Sequence, residues 1–193
     1  KKISFIIGLL WIFNPFLITM IVYGHGSQMM TAAYLPWTLY FLHKLKSDQS
    51  IFNLLIFSLF LGFQLQRAHV QIAYYACMLL GSYFIFSFFK NRNKKYLFFF
   101  IVGCFVAFML AAHIYLPSLD YRSVSIRSSA IGSFDYATNW SMHPKELITY
   151  VLPHFYGFGG STYTGYMPFT DYPNYVGLMV LMIAFFSLKK FKN

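Results

Sequence analysis

Two His and Gln pairs stand in similar settings in this 193-residue chain. Gly24-His25-Gly26-Ser27-Gln28 runs on to Ala32-Ala33-Tyr34, and Arg67-Ala68-His69-Val70-Gln71 runs on to Ala73-Tyr74-Tyr75. Each places a His and a Gln at the mouth of an apolar run, and Arg67 adds a permanent cation beside the second pair. An imidazole titrates near neutral pH, and a guanidinium binds phosphate or carboxylate through paired donors. A phosphate or carboxylate ligand would suit Arg67. Two plainer readings stand beside this one. His and Tyr favour a membrane interface, and Arg67 can snorkel its head into the headgroup zone. The paired turns read either as a repeated hairpin or as a chance likeness.

A second group of reactive side chains lies in the stretch 117–174. His143 and Glu146 follow Asn139-Trp140-Ser141, a short sequon-like match, and Asp120, Asp135 and Asp171 are candidate acids or bases. Glu146 falls in the first turns of an expected helix, where a carboxylate interacts favourably with the helix dipole. Tyr136 and Trp140 offer faces for stacking. His113 and His154 share this side of the chain with His25, His69 and His143, leaving His43 on the other. No His-x3-His or HExxH spacing supports a divalent metal, and neither a phosphate loop nor a GxGxxG fingerprint is present. No cofactor is identifiable.

The elements that must position these residues are membrane helices. Hydrophobic residues make up 58% of the chain and charged residues 10%, far from the soluble balance of about 45–50% and about 25%. Six apolar spans are expected, over residues 3–23, 28–42, 51–66, 70–89, 96–116 and 175–188. The second, third and sixth are short against the roughly 20 residues a crossing needs. Asn14-Pro15 and Pro36 predict kinks in the first two, because proline removes a backbone donor and disturbs the preceding turn. Cys77 and Cys104 sit in spans as small apolar groups, and no cleavage pattern makes the first span a signal sequence.

Charge sets the direction. Eleven of the 15 basic residues fall at the chain start and in every second gap, as Lys1, Lys2, Lys44, Lys46, Lys90, Arg92, Lys94, Lys95, Lys189, Lys190 and Lys192. Basic flanks resist translocation, so the +10 net charge reads as topology. Both ends are then cytoplasmic and the stretch 117–174 is extracytoplasmic. That loop holds Arg122, Arg127 and Lys145 against four carboxylates, without the basic patch that nucleic acid requires. Its twelve aromatic residues argue against disorder. Within it, Ser141 is placed to cap, and Pro144 to open, an amphipathic helix with Leu147, Ile148, Val151 and Leu152 on one face, ended by Pro153. Such a helix would lie along the membrane surface. Residues 157–165 read as a flexible Gly- and Tyr-rich turn. The expected fold is an all-α polytopic transmembrane helix bundle of about six spans, with one long structured outer loop containing that helix. Its divisions are a five-span membrane segment over 1–116, the extracytoplasmic loop over 117–174, and a final span with a basic end over 175–193.

Several motifs together carry a likeness. These are Gly24-His25 with Ala33-Tyr34-Leu35-Pro36-Trp37, His69-x-Gln71-x-Ala73-Tyr74-Tyr75, and Tyr136-Ala137-Thr138-Asn139-Trp140-Ser141 with Pro144 and Glu146. Val151-Leu152-Pro153, Phe155-Tyr156-Gly157, Tyr166-Met167-Pro168 and Tyr175-Val176-Gly177 continue it. In order and spacing the chain resembles the YfhO-like bacterial membrane proteins, relatives of the GT-C glycosyltransferases, over most of its length. Ala68 and Val70 depart from the Gly and Pro of that family's GHPQ-like turn, and Lys145 stands where an acidic residue is common.

The resemblance implies transfer of a sugar from a polyprenyl-phosphate donor to a cell-surface acceptor at the outer face. It also implies that the chain is an internal segment of a longer protein. The catalytic Asp of such enzymes lies in an early outer loop, and Gly24–Ser27 has no carboxylate, so that Asp is expected before Lys1. His25, Gln28, Arg67, His69 and Gln71 would contact donor phosphate or acceptor, and Tyr136, Trp140, His143 and Glu146 would serve from the loop. The alternative is a non-catalytic membrane protein, either a lipid or glycan transporter or flippase, or an assembly scaffold. The absence of Asp, Glu, Lys and Arg from the middles of the spans weighs against ion-coupled transport.

Overall fold

The computed structural model describes residues 2–67, 69–124, 138, 141–168, 170 and 174–190. Among them the secondary structure is entirely helical. The α-helices are α1 (Lys2–Ile12), α2 (Pro15–Val22), α3 (Gly26–Ala33), α4 (Leu35–Ser47), α5 (Ile51–Gln66), α6 (Val70–Asn91), α7 (Lys94–Tyr121) and α8 (Leu178–Lys190). Short 3₁₀ turns occupy Arg122–Val124, Pro144–Tyr150 and Gly160–Thr162. Three helical stretches, Ile3–Val22, Val70–Asn91 and Lys94–Tyr121, are long and apolar enough to cross a membrane, while Ile51–Gln66 and Leu178–Ser187 are apolar but shorter. Phe86, Phe98 and Phe105 on the long helices are 61–70% exposed, an outward apolar surface of the kind that faces lipid.

The chain gathers into two compact units. One comprises Lys1–His25 with Ile126–Asn193, and the other Gly26–Ser125. The second unit is built on α5 and α7. Leu54, Phe57 and Leu61 pack with Leu42, Leu45, Leu80, Phe84, Tyr96 and Ala107 in one buried cluster. Two glycines let the helices approach. A Cβ on Gly62 would stand 2.9 Å from Leu110 Cδ1, and one on Gly103 would stand 2.7 Å from the Phe57 ring. Each helix thus supplies a gap for a side chain of the other. Gly103, Ala107 and Ala111, spaced four apart and buried, form the small-residue stripe on which membrane helices pack closely.

Both proline positions interrupt a helix rather than bending it. The Asn14 side chain accepts from Phe16 N–H at 3.0 Å and caps α2, with Pro15 in the first turn where its missing donor costs nothing. The expected second span divides at Tyr34 into α3 and α4, with Pro36 in the first turn of α4. Pro117 does the opposite. The fifth span was expected to end at Leu116, but α7 continues through Pro117 to Tyr121. Ser118 Oγ donates to Ile114 O at 2.7 Å across that turn.

The loop helix differs from expectation in type and in cap. Pro144–Tyr150 is a 3₁₀ helix, and His143 rather than Ser141 caps it, through Nδ1 accepting from Lys145 N–H at 3.2 Å. The threefold 3₁₀ repeat aligns residues three apart, so Glu146 and Thr149 share the buried face. Leu147, Val151 and Leu152 are at least half exposed.

Candidate functional site

In the Gly26–Ser125 unit the turn between α5 and α6 collects three candidates. Arg67 is the C-cap residue of α5. Its guanidinium lies 6.0 Å from the centroid of the Tyr34 ring, within reach of a cation–π contact. Its Nε is buried and has no hydrogen-bond partner among the described residues. His69 caps α6, with Nδ1 accepting from Ile72 N–H at 3.3 Å. Accepting at Nδ1 puts the ring proton on Nε2. Gln71 is exposed and donates to Tyr75 OH at 3.1 Å. Gln28 lies in α3 of the same unit, half-buried.

Beneath Arg67 runs a polar network that the amino-acid pattern did not announce. Gln64 is 1% exposed. Its Nε2 donates to Thr31 O at 3.1 Å, and its Oε1 accepts from Thr38 Oγ1 at 3.3 Å. The break between α3 and α4 frees carbonyls at the end of α3, and buried carbonyls demand partners. Gln64 supplies one from a neighbouring helix. Two bonds tie α5 to α7 nearby, Gln66 Nε2 to Leu110 O at 2.7 Å and Tyr115 OH to Leu65 O at 3.1 Å. The available signal was a pair of glutamines closing an apolar run. The Arg67 side chain therefore stands on a rigid platform in which the neighbouring polar groups are already engaged.

The unit that contains the loop holds the remaining described candidates. Glu146 is 2% exposed. Its Oε1 accepts from Tyr163 OH at 2.6 Å and from Tyr166 N–H at 2.5 Å. Tyr163 OH in turn accepts from Met167 N–H at 2.9 Å. Burial raises the Tyr163 phenol above its ordinary range, and donation to Glu146 raises it further. The expected turn over 157–165 is closed by hydrogen bonds. Thr164 N–H donates to Tyr156 O at 2.8 Å, and Gly157 (φ +71°) lies so near Thr162 O that a Cβ there would stand 2.1 Å away. His143 stacks on the Tyr166 ring at 4.0 Å between centroids, and Lys145 Nζ lies 5.9 Å from the same ring. Imidazole, ammonium and an exposed aromatic ring thus share one surface above a buried carboxyl group.

His25 belongs to the same unit and is half-buried, its N–H donating to Met20 O at 2.7 Å. In this unit the Asn14 amide also donates to Val176 O at 3.4 Å, and Gly177 packs against Pro15. Tyr136 and Trp140, with Asp135 and Asp171, lie outside the described residues. Asp120 is exposed at the end of α7. Among the described residues no three of His, Cys, Asp and Glu come together in a way that could hold a metal ion. No family model matches this chain, and no curated protein or solved structure does either.

Proposed function

We propose that the chain is a segment of a membrane glycosyltransferase of the YfhO-like type. It would move a sugar from a polyprenyl-phosphate donor to a cell-surface acceptor at the extracytoplasmic face. In this reading six spans carry the chain across the bilayer, with the short α3–α4 pair, α5 and α8 completing the three long ones. Both ends are cytoplasmic and the stretch 117–174 lies outside. Arg67 contacts donor phosphate through the terminal nitrogens of its guanidinium, a group that suits phosphate. His69, Gln71, Gln28 and His25 are further polar residues assigned to donor or acceptor. The loop presents His143, Lys145 and the Tyr166 ring to sugar, with Tyr136 and Trp140 as further stacking faces.

The observation that carries this reading is where the likeness falls. Glu146, Tyr156, Gly157, Tyr166, Val176 and Gly177 belong to the motifs on which the resemblance to that family rests. The same residues make the bonds and close approaches that shape the loop and its return to Asn14. The motif is a framework for a surface rather than a set of reacting groups. The test supplies a polyprenyl-phosphate-linked sugar to the intact protein and follows its consumption and the cell-surface glycan in a null strain. Wild type should restore the glycan, Arg67→Ala should fail, and Arg67→Lys should restore little because the paired donors are lost. Unchanged glycan with Arg67→Ala and His69→Ala removes both residues from the site.

A transporter or flippase is the second reading, favoured by two interrupted helices, because discontinuous helices often line substrate sites in transporters. Here Asn14 and Gln64 bind backbone groups at the two interruptions from within the chain. That leaves fewer free groups there for a substrate.

A further inference from the structure

We propose that one end of the Gly26–Ser125 unit is a docking surface for the anionic headgroups of bilayer lipids. At this end α4 stops and α6 passes into α7. Six cations meet there: Lys44 and Lys46 in the last turn of α4, Lys90 and Arg92 at the close of α6, and Lys94 and Lys95 at the start of α7. Packing brings the three elements together. His43 Nδ1 lies 2.5 Å from Tyr83 OH, joining α4 to α6, and Leu42, Leu45, Phe84 and Tyr96 share one buried cluster. All the cations but the half-buried Lys46 are exposed.

The charge is unbalanced. Among the described residues Asp48 is the one carboxylate nearby, and its Oδ2 accepts from Asn53 Nδ2 at 2.7 Å. Asp120, the other carboxylate of the unit, lies at the far end of α7, roughly 40 Å along the axis. Among the described residues none of the six cations forms an ion pair. Three are instead held over rings, Lys44 over Tyr40 at 5.7 Å, Arg92 over Phe89 at 5.6 Å and Lys95 over Phe99 at 5.6 Å. Arg92 also takes up a left-handed backbone (φ +50°), which a non-glycine residue adopts at a cost.

What the surface continues into decides its partner. Ile51 and Phe52 on α5, Phe86 and Phe89 on α6 and Phe98 on α7 are all more than 60% exposed, within about two turns of the same end. A cationic rim above an apolar flank matches a lipid, whose acyl chains and anionic head occupy adjoining layers. A soluble acidic protein or a nucleic acid would meet the rim but leave the flank bare.

The test reconstitutes the chain in nanodiscs of phosphatidylcholine mixed with phosphatidylglycerol. Native mass spectrometry then reads the lipid that stays bound after release. Wild type should retain phosphatidylglycerol well above its share of the disc. A neutralised variant, K44Q/K46Q/R92N/K94Q/K95Q, keeps helix-compatible side chains and gives position 92 a residue that tolerates the left-handed region. It should retain at least about five-fold less. The charge-conserving K44R/K46R/K94R/K95R should match wild type. Salt near 1 M should strip the enrichment from wild type, a readout that needs no variant to fold. Equal enrichment in the neutralised and wild-type chains, enrichment indifferent to salt, or co-purification of nucleic acid or an acidic protein in place of lipid would each overturn the proposal.

Discussion

Where α5 meets α7, Gly62 and Gly103 leave room for Leu110 and Phe57, whereas around Glu146 the loop is held by donors aimed at one carboxyl group. The first contact rests on shape. It suits helices whose surroundings are as apolar as their side chains, because close backbone approach gains dispersion where burial gains little. The second rests on satisfied polar groups in a segment with few buried apolar side chains. Shape tolerates no added volume, and a polar clamp tolerates no lost acceptor. The two regions should therefore fail under different substitutions, and each failure should leave the other region intact.

Added volume should have the largest effect. Gly103→Leu drives a side chain into the Phe57 ring, and overpacking of this kind costs about 1–3 kcal/mol. Unfolding followed by helical signal in detergent should shift by that amount, with Gly62→Ala smaller because it adds one carbon, which still meets Leu110 Cβ at 3.0 Å. Pairing Gly103→Leu with Phe57→Ala should recover part of the loss. If Gly103→Leu unfolds no more readily than wild type, the interlocking account of α5 and α7 is wrong.

Gln64→Leu probes the same unit, since it keeps the volume and deletes the donor to Thr31 O and one acceptor of Thr38, whose Oγ1 also donates to Tyr34 O. Polar contacts between membrane helices are worth about 0.6 kcal/mol on average and up to about 1.7, and this one serves two partners. Hydrogen exchange should rise first at residues 31–38. A uniform rise across α5 and α7 would instead mean that Gln64 supports the whole unit.

How legible these features were in the amino-acid pattern follows from the same physics. The apolar runs marked α5 at its observed bounds and located α6 and α7, because helices this apolar along their length cannot hide their composition. Asn14-Pro15 marked a true interruption. Tyr34 was harder to see, since the break falls two residues before Pro36, and only the tertiary partner Gln64 makes it tolerable. The 3₁₀ form of Pro144–Tyr150 was hidden for a related reason. Its apolar residues fit an α-helical face, but the bonds from Tyr163 and the Tyr166 backbone turn Glu146 inward. Candidate residues were legible by type and by side of the chain. The distant partners were not, because Glu146 draws its donors from 17 and 20 positions away and Gln64 reaches Thr38 and Thr31 across 26 and 33.

Glu146→Ala tests the polar half of the comparison. It leaves Tyr163 OH and Tyr166 N–H without their acceptor, and stranded donors cost about 1–3 kcal/mol. The loss should be confined to the loop, so limited proteolysis within 157–168 should accelerate while the unfolding of α5 and α7 stays put. Simultaneous loss of both would erase the distinction between the two regions.

The smallest effect expected is a pH dependence of the same clamp. Because burial and the bond to Glu146 hold the Tyr163 phenol above its ordinary range, the folded loop keeps a proton that the unfolded chain would release. The resulting stabilisation is complete below the ordinary phenol value of about 10. It is lost as pH climbs from there through the raised folded value. Protection of residues 157–168 from protease should thus be flat from neutral pH to about 9 and fall beyond about 10. Tyr163→Phe cannot ionise, so it should begin with a looser loop and show no further fall over that range. A decline of the same steepness in Tyr163→Phe would assign the alkaline sensitivity to another group and leave the Glu146 bond as a contact without a titration.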